Sequence, residues 1–326
     1  MSEQLQSDFD KLVKTSKFSN EEIKFKKNFL NNFIKNGFPN RKQEDWKFLD
    51  ISQIIKKNIS DLSFFNDYSQ SNKIDPSILV DGLEHNKIIF INGKIEKIDF
   101  NVEDQNKIEI IDETKKDISF DYENSLIDLN SAFTDKVFKI LVKKDYSLKK
   151  PLIIYHSTND SIKSTNINLR LDFELGENSC LKLIDYFANN TTKNFINIFY
   201  NFNLEKDSIL KNYKIDKFRN DNLTYSFNNI EQGNNSVSET FILSAGSDYL
   251  KNEINCNLNG EYSSAFINGV FSLKENQQHE IRTTINHLVE NTKSYQLIKS
   301  VLGKNSKSAY QGRIFVNSKA QKTDGY

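Results

Sequence analysis

The sequence predicts a mainly β protein that opens with an α-helical region. Apolar residues recur at helical spacing over residues 1–60. From about residue 125 onward they alternate with polar ones almost everywhere, and Gly, Asn and Asp punctuate the alternating segments. No helix-length pattern interrupts the alternation between residues 150 and 290.

At the N-terminus, Leu5, Phe9, Leu12 and Val13 fall on one stripe of a short helix. Ser19-Asn20-Glu21-Glu22 fits a capping box, in which the Ser19 hydroxyl and the Glu22 carboxylate each take a free backbone N–H. Ile23, Leu30, Phe33 and Ile34 form the apolar face of that second helix, Gly37 suits its left-handed end, and Pro39 prevents continuation. The segment RKQEDWKFLDISQIIKK that follows is mixed in pattern and anchored by Trp46. NKIIFINGKIEKID (86–99) reads as a hairpin turning at Asn92-Gly93. A polar stretch over about 101–120 reads as a surface connection.

Beyond it, Ile167, Leu169, Leu171, Phe173 and Leu175 alternate with polar partners up to a turn at GENS. Ile196 to Leu204 and Ile254 to Leu258 repeat the pattern, with a turn at Asn259-Gly260. Periodicity alone leaves a sandwich, a barrel and an irregular solenoid open; no exact short repeat is visible, which excludes a regular hexapeptide β-helix. These boundaries divide the chain into an α-rich region with its hairpin (1–118) and a β core (119–326).

The 44 basic and 44 acidic side chains cancel, which argues against a general nucleic-acid or membrane-surface binder. Lys, Asn, Ile and Phe are abundant throughout, so Asn-rich spots are read as compositional background. Cys180 and Cys256, 76 positions apart, offer no disulfide framework, and two thiols alone cannot hold an iron–sulfur cluster or a structural zinc. The first seventeen residues contain no apolar h-region, and no apolar stretch approaches a membrane span, which predicts a cytoplasmic setting.

His279, Glu280 and His287 in QQHEIRTTINHLVE form a candidate polar site. The two histidines share a strand face but lie eight residues apart, about 26 Å of extended chain, so a shared metal requires the chain to bend back. Hydrogen bonding at strand ends is the plainer reading. His156, closing PLIIYH, reads as a strand-edge residue, and Asp172 and Glu174 as a solvated strand face. Cys256, in line with Ile254 and Leu258, reads as a small core residue. Phosphate-binding glycine loops and a G-x-S-x-G elbow are absent. No metal, cofactor or catalytic residue is therefore assigned, which points to a scaffold or binding subunit.

Three segments, in order, resemble the SufD branch of the SufB/SufD family of iron–sulfur assembly proteins. GFPNRKQEDWKF carries Glu44, Trp46 and Lys47, with Phe48 where that family usually has Tyr. DLNSAFTDKVFKILVKKDYSLKKPLIIYH carries Asn130. The stretch from Leu250 to the end carries Gly312 and the run Gln321, Lys322, Thr323, Asp324. The resemblance implies a right-handed parallel β-helix behind the helical region, and a non-catalytic scaffold. It also implies pairing with a SufB-like paralogue through the β-helix core and with a SufC-like ATPase, the cluster being handled by the complex rather than held by this chain. The family pattern continues past Asp324 with further rungs and SufC-binding helices, so the resemblance implies a C-terminally truncated chain that lacks the SufC-binding region. A polysaccharide-acting or purely structural β-helix is the alternative.

Overall fold

The computed structural model describes residues 1–59, 61–67, 72–113, 124–188, 193–217 and 220–325. The proposed boundary at 118/119 and the final Tyr326 lie outside them. Helices α1 (Ser2–Thr15) and α2 (Asn20–Asn36) form as their apolar stripes dictate. The capping box at Ser19 is made in both directions, with Glu22 N–H to Ser19 Oγ at 3.3 Å and Ser19 N–H to Glu22 Oε2 at 2.6 Å. Gly37 ends α2 at φ +68°, in the region that favours glycine. A short 3₁₀ turn, Glu44–Trp46, and α3 (Ile51–Asn58) complete the region.

Strands β1 (Asn86–Ile91) and β2 (Lys94–Asp99) form the expected hairpin, with Asn92 and Gly93 both at positive φ. After β3 (Ile108–Glu113) comes α4 (Ser125–Phe133), where the alternating reading is corrected. Of its nine residues only Asp128 is not buried, so no polar face marks it as a helix in the sequence. The helix lies between α2 and the strand wall. Half-buried Lys26 of α2, lowered to about 8 by desolvation, donates to the carbonyls of Ser131 (3.2 Å) and Thr134 (2.6 Å) at its C-terminal end.

The remaining strands are β4 (Val137–Val142), β5 (Leu152–Ser157), β6 (Asn166–Leu175), β7 (Cys180–Phe187), β8 (Phe195–Leu204), β9 (Ile209–Asp216) and β10 (Asn220–Gln232). They continue with β11 (Val237–Ser244), β12 (Ser247–Leu258), β13 (Ser264–Leu273), β14 (Gln278–His287), β15 (Lys293–Leu302), β16 (Lys307–Val316) and β17 (Asp324–Gly325). From β4 on, odd strands build one sheet and even strands the other, and each pairs in parallel with the strand two ahead. This is a two-sheet parallel solenoid of about six turns. One turn takes 27 residues from Val237 to Ser264 and 29 from Ser264 to Lys293, as the register shows.

Alternation along each strand sends Leu169, Leu171, Phe173, Ile198, Phe202 and their counterparts into one continuous interior. The outer face of the even sheet packs Phe195, Phe199, Tyr225 and Phe227 against the helices. Beyond that cover it carries an asparagine ladder. Asn229 donates to Asn201 (3.0 Å), Asn255 to Asn229 (3.0 Å), and Asn286 to Asn255 (3.2 Å) and Asn257 (2.8 Å). These asparagines are structural, not background.

The turns are what stacks. Asn178, Asp207 and Asn235 are left-handed, and their N–H groups donate to the carbonyls of Lys206 (3.1 Å), Asn234 (2.9 Å) and Glu261 (2.9 Å) one rung ahead. A serine follows each, and Ser208 and Ser236 close back on the carbonyls of Glu205 (2.6 Å) and Gly233 (2.8 Å). A Cβ on Gly260 would overlap the Asn234 backbone, and one on Gly303 the Lys274 carbonyl. Gly260→Ala and Gly303→Ala are each expected to lower the unfolding free energy by about 1–3 kcal/mol, the usual cost of overpacking. Thermal or urea melts check this, and unchanged midpoints would show that the turns are not in close contact.

Candidate functional site

The three residues of the predicted polar site are not brought together. His279 and His287 stand at opposite ends of β14 and point inward, whereas Glu280 points to the outer face. His279 Nε2 donates to the Ser247 carbonyl (2.5 Å), and Nδ1 meets Ser244 Oγ (2.7 Å). His287 spends its ring nitrogens on Thr292 Oγ1 (2.6 Å) and Ser294 Oγ (3.0 Å), and burial lowers its pKa. Both are hydrogen-bonded strand-end histidines. No group of three or more His, Cys, Asp or Glu able to hold a metal occurs among the described residues.

Glu280 belongs to a clasp that joins the helical region to the solenoid. Lys251 of β12, fully buried, donates to Glu280 Oε1 (2.6 Å) and to the Asp45 carbonyl (2.5 Å), and lies 3.3 Å from Glu253 Oε1. Its ammonium sits 4.2 Å over the Trp46 ring, which packs on Tyr225 at 5.4 Å. Arg282 of β14 reaches Asp45 Oδ1 at 2.6 Å, and Gln278 donates to the Phe48 carbonyl at 2.5 Å. Burial raises the Glu280 carboxyl even against Lys251. Beside the clasp opens a groove of about 550 Å³, lined in part by Glu253, Arg282, Asn286, Arg313 and Phe315.

The other motif residues have structural posts. Glu44 and Lys47 form an exposed pair at 2.5 Å, worth little in water. Asn130, fully buried in α4, donates to the carbonyls of Leu169 (3.0 Å) and Asn197 (2.9 Å), fastening the helix to two rungs. Gly312 lies opposite Thr283, close under the Tyr310 ring. Gln321 accepts from the Asn291 N–H at 3.0 Å, and Lys322, at φ +56°, makes the turn. Asp324 and Gly325 then pair with Lys293 and Ser294 as strand, so Lys322 rather than Asp-Gly is the turning residue.

Sequence reasoning missed a buried polar group inside the solenoid. His156 is no edge residue: β5 has β1 and β7 on its two sides, and the ring lies inside the solenoid, 3% exposed. Its Nε2 donates to Asp185 Oδ1 (2.7 Å), to which Tyr200 Oη also donates (2.7 Å), and Lys214 pairs with Asp185 Oδ2. Burial alone would raise the Asp185 carboxyl; Lys214 and His156 more than reverse that and hold it far below the ordinary range. Tyr200 is raised well above its usual value by burial and by Asp185. The signal was present in the sequence: Asp185 follows Leu181 and Leu183 in the inward positions, and Lys214 follows Leu210. Asp172 also departs from its solvated reading, being buried under the helices and paired with Arg170 at 3.2 Å, while Glu174 stays half-exposed beside Lys139 at 2.5 Å. Cys256 is fully buried as expected, its thiol pushed up to about 12 by desolvation.

With this geometry in place, comparison with known proteins is decisive. The family described as SUF system FeS cluster assembly, SufBD core domain, matches residues 155–326, more than half of the chain. The chain belongs to the SufBD core family. It is also similar to the iron–sulfur cluster assembly protein SufD of Escherichia coli (strain K12), at 23% identity over 306 residues, covering 91% of this chain and 70% of that protein. The solenoid, left undecided by periodicity, is the fold expected of this family.

Two outcomes test these interior assignments. Lys214→Met strands a buried carboxylate and is expected to cost about 3–5 kcal/mol, most of it recovered in Lys214→Met/Asp185→Leu, as urea unfolding of both variants would show. Asp216 titrates the other way: burial lifts its carboxyl from 3.8 to about 6. The folded chain then binds this proton more tightly than the unfolded chain. The contribution is full below about pH 4 and lost as the pH rises through about 6. Asp216→Asn keeps an acceptor for the Ser247 N–H (3.0 Å). It should be up to about 3 kcal/mol more stable than the parent near pH 7.5, a gain that vanishes near pH 4.

Proposed function

We propose that this chain is a non-catalytic scaffold subunit of the SUF iron–sulfur assembly machinery. In this reading it assembles with a SufB-like paralogue through the solenoid, in a complex that also holds a SufC-like ATPase. The iron–sulfur cluster is cargo of that complex, not a group resident in this chain. The observation that carries the reading is the family match laid over the parallel solenoid.

The chemistry of the described side chains supports a scaffold. The Cys256 thiol is pushed far from ionisation and that of Cys180 is raised by burial, so neither is primed as a nucleophile or as a thiolate ligand. His279 and His287 have both ring nitrogens engaged by interior hydroxyls and a carbonyl. A long wall of stacked strands and a helical cap clasped to it suit a protein that positions partners. No helix among the described residues is long and apolar enough to cross a membrane.

Co-expression with SufB-like and SufC-like proteins of the same organism, followed by native mass measurement, tests the proposal. The expected result is a complex containing all three, and loss of iron–sulfur enzyme activity in cells from which this gene is deleted. A chain that purifies alone, together with unchanged iron–sulfur enzyme activity in the deletion strain, would refute the proposal.

A further inference from the structure

The outer face of the odd-numbered sheet is half covered and half bare. Over β5 and β7 it is covered by the chain's own segment KIDPSILVDGLE (73–84), in which Ile78 packs on Ile153, Tyr155 and Tyr186. The Val80 N–H donates to Tyr155 Oη at 3.1 Å, and Glu84 pairs with Lys150 at 2.5 Å. This cover is an apolar core flanked by Asp75, Asp81 and Glu84.

The same kind of surface continues without a cover over β9 to β15. Register places Tyr213 beside Phe241, and Ile215 beside Leu243 and then Val270. Tyr213 is 39% exposed, Tyr295 41% and Leu297 42%, so the outward residues form an accessible apolar stripe instead of scattered contacts. Ile184 and Ile215 touch the covered cluster, so the bare stripe is continuous with the covered one. The outward charges on the bare strands β9 to β15 are Lys211, Lys293 and Lys299 against Glu239, a net of two positive charges, and because Lys211 pairs with Glu239 at 3.2 Å the excess sits on Lys293 and Lys299. Four strands about 4.8 Å apart span about 14 Å, the length of two to three helical turns.

We propose that this bare face docks a segment of a partner protein that has an apolar core and acidic flanks. The resident cover shows the chemistry that this sheet accepts, and the lysine rim supplies the charge complement for a second segment of the same kind. The inference does not depend on the scaffold role, because it rests on the sheet face alone.

A fluorescent peptide with the sequence of residues 73–84, titrated into the full chain, tests it. Saturable binding is expected, weakened by salt, absent for a peptide whose three acidic residues are replaced by lysine, and weakened at least about tenfold by Phe241→Lys. Tyr213→Lys and Leu297→Lys, at more exposed positions, guard against misfolding and should weaken binding in the same direction, with melting curves like that of the parent. Absence of saturable binding, equal binding of the charge-reversed peptide, or indifference to all three substitutions would overturn the proposal. So would sedimentation of the chain alone as a dimer that Phe241→Lys dissolves, which assigns the face to a second copy. Tighter capture by phosphatidylglycerol vesicles than by the peptide would overturn it too, in favour of a lipid surface.

Discussion

Everything in this molecule depends on stacking the turns in register. A parallel solenoid places each residue over one some 28 positions later, as Leu223 over Phe195 shows, so a single misfit is felt by two neighbouring rungs. In the turns that lead into β7, β9 and β11, the left-handed residue, its N–H tied to the next rung, and the serine that follows it set where the strand begins. Once strand starts are set, alternation decides which side chains face inward. The asparagine ladder outside and the column of Phe90, His156 and Phe187 inside are consequences of that placement.

In-register stacking also explains why the interior tolerates charge at one level. Asp185 lies beside Lys214 because β7 and β9 pair there, and His156 and Tyr200 complete its hydrogen bonds from β5 and β8. Four strands thus converge on one carboxylate. Taking such a pair out of water costs several kcal/mol per ion and returns little net stability. Its effect is on specificity: a slip of one residue in β9 would turn Lys214 outward and bring Tyr213 or Ile215 against the carboxylate.

Much of this was legible in the sequence, and the gaps have physical causes. The capping box, the Asn-Gly hairpin and the alternating strands are local signals, and local signals survive in a single chain. Architecture is not local: each strand shows its own alternation, whereas its partners lie a full turn away. The turn repeat was written in the sequence but diluted, since Gly176, Gly233, Gly260 and Gly303 alternate with Glu205, Lys274 and Val289 at the equivalent position. Helix α4 was hidden because burial on nearly all sides erased its polar face. The charged interior was hard to read because Asp185 and Lys214 are 29 residues apart, so neither strand shows the partner that its inward charge meets.

The clasp shows how local and distant order are coupled. Asp45 and Trp46 lie in the N-terminal region, yet Lys251 and Arg282, which hold them, come from neighbouring strands more than 200 residues later. Both cations face outward only if β12 and β14 sit in their native alternation. A slip of one residue would carry Lys251 inward and expose Leu250, leaving the Asp45 carbonyl without its donor and Trp46 without its cation. The helical cap therefore binds tightly only to correctly registered rungs. Two cations face Asp45, Glu253 and Glu280, and burial, reinforced by the neighbouring Glu253 charge, raises Glu280 even so. Docking of the helical region is in this way conditional on strand register, and the short Glu-Asp-Trp-Lys segment carries that condition.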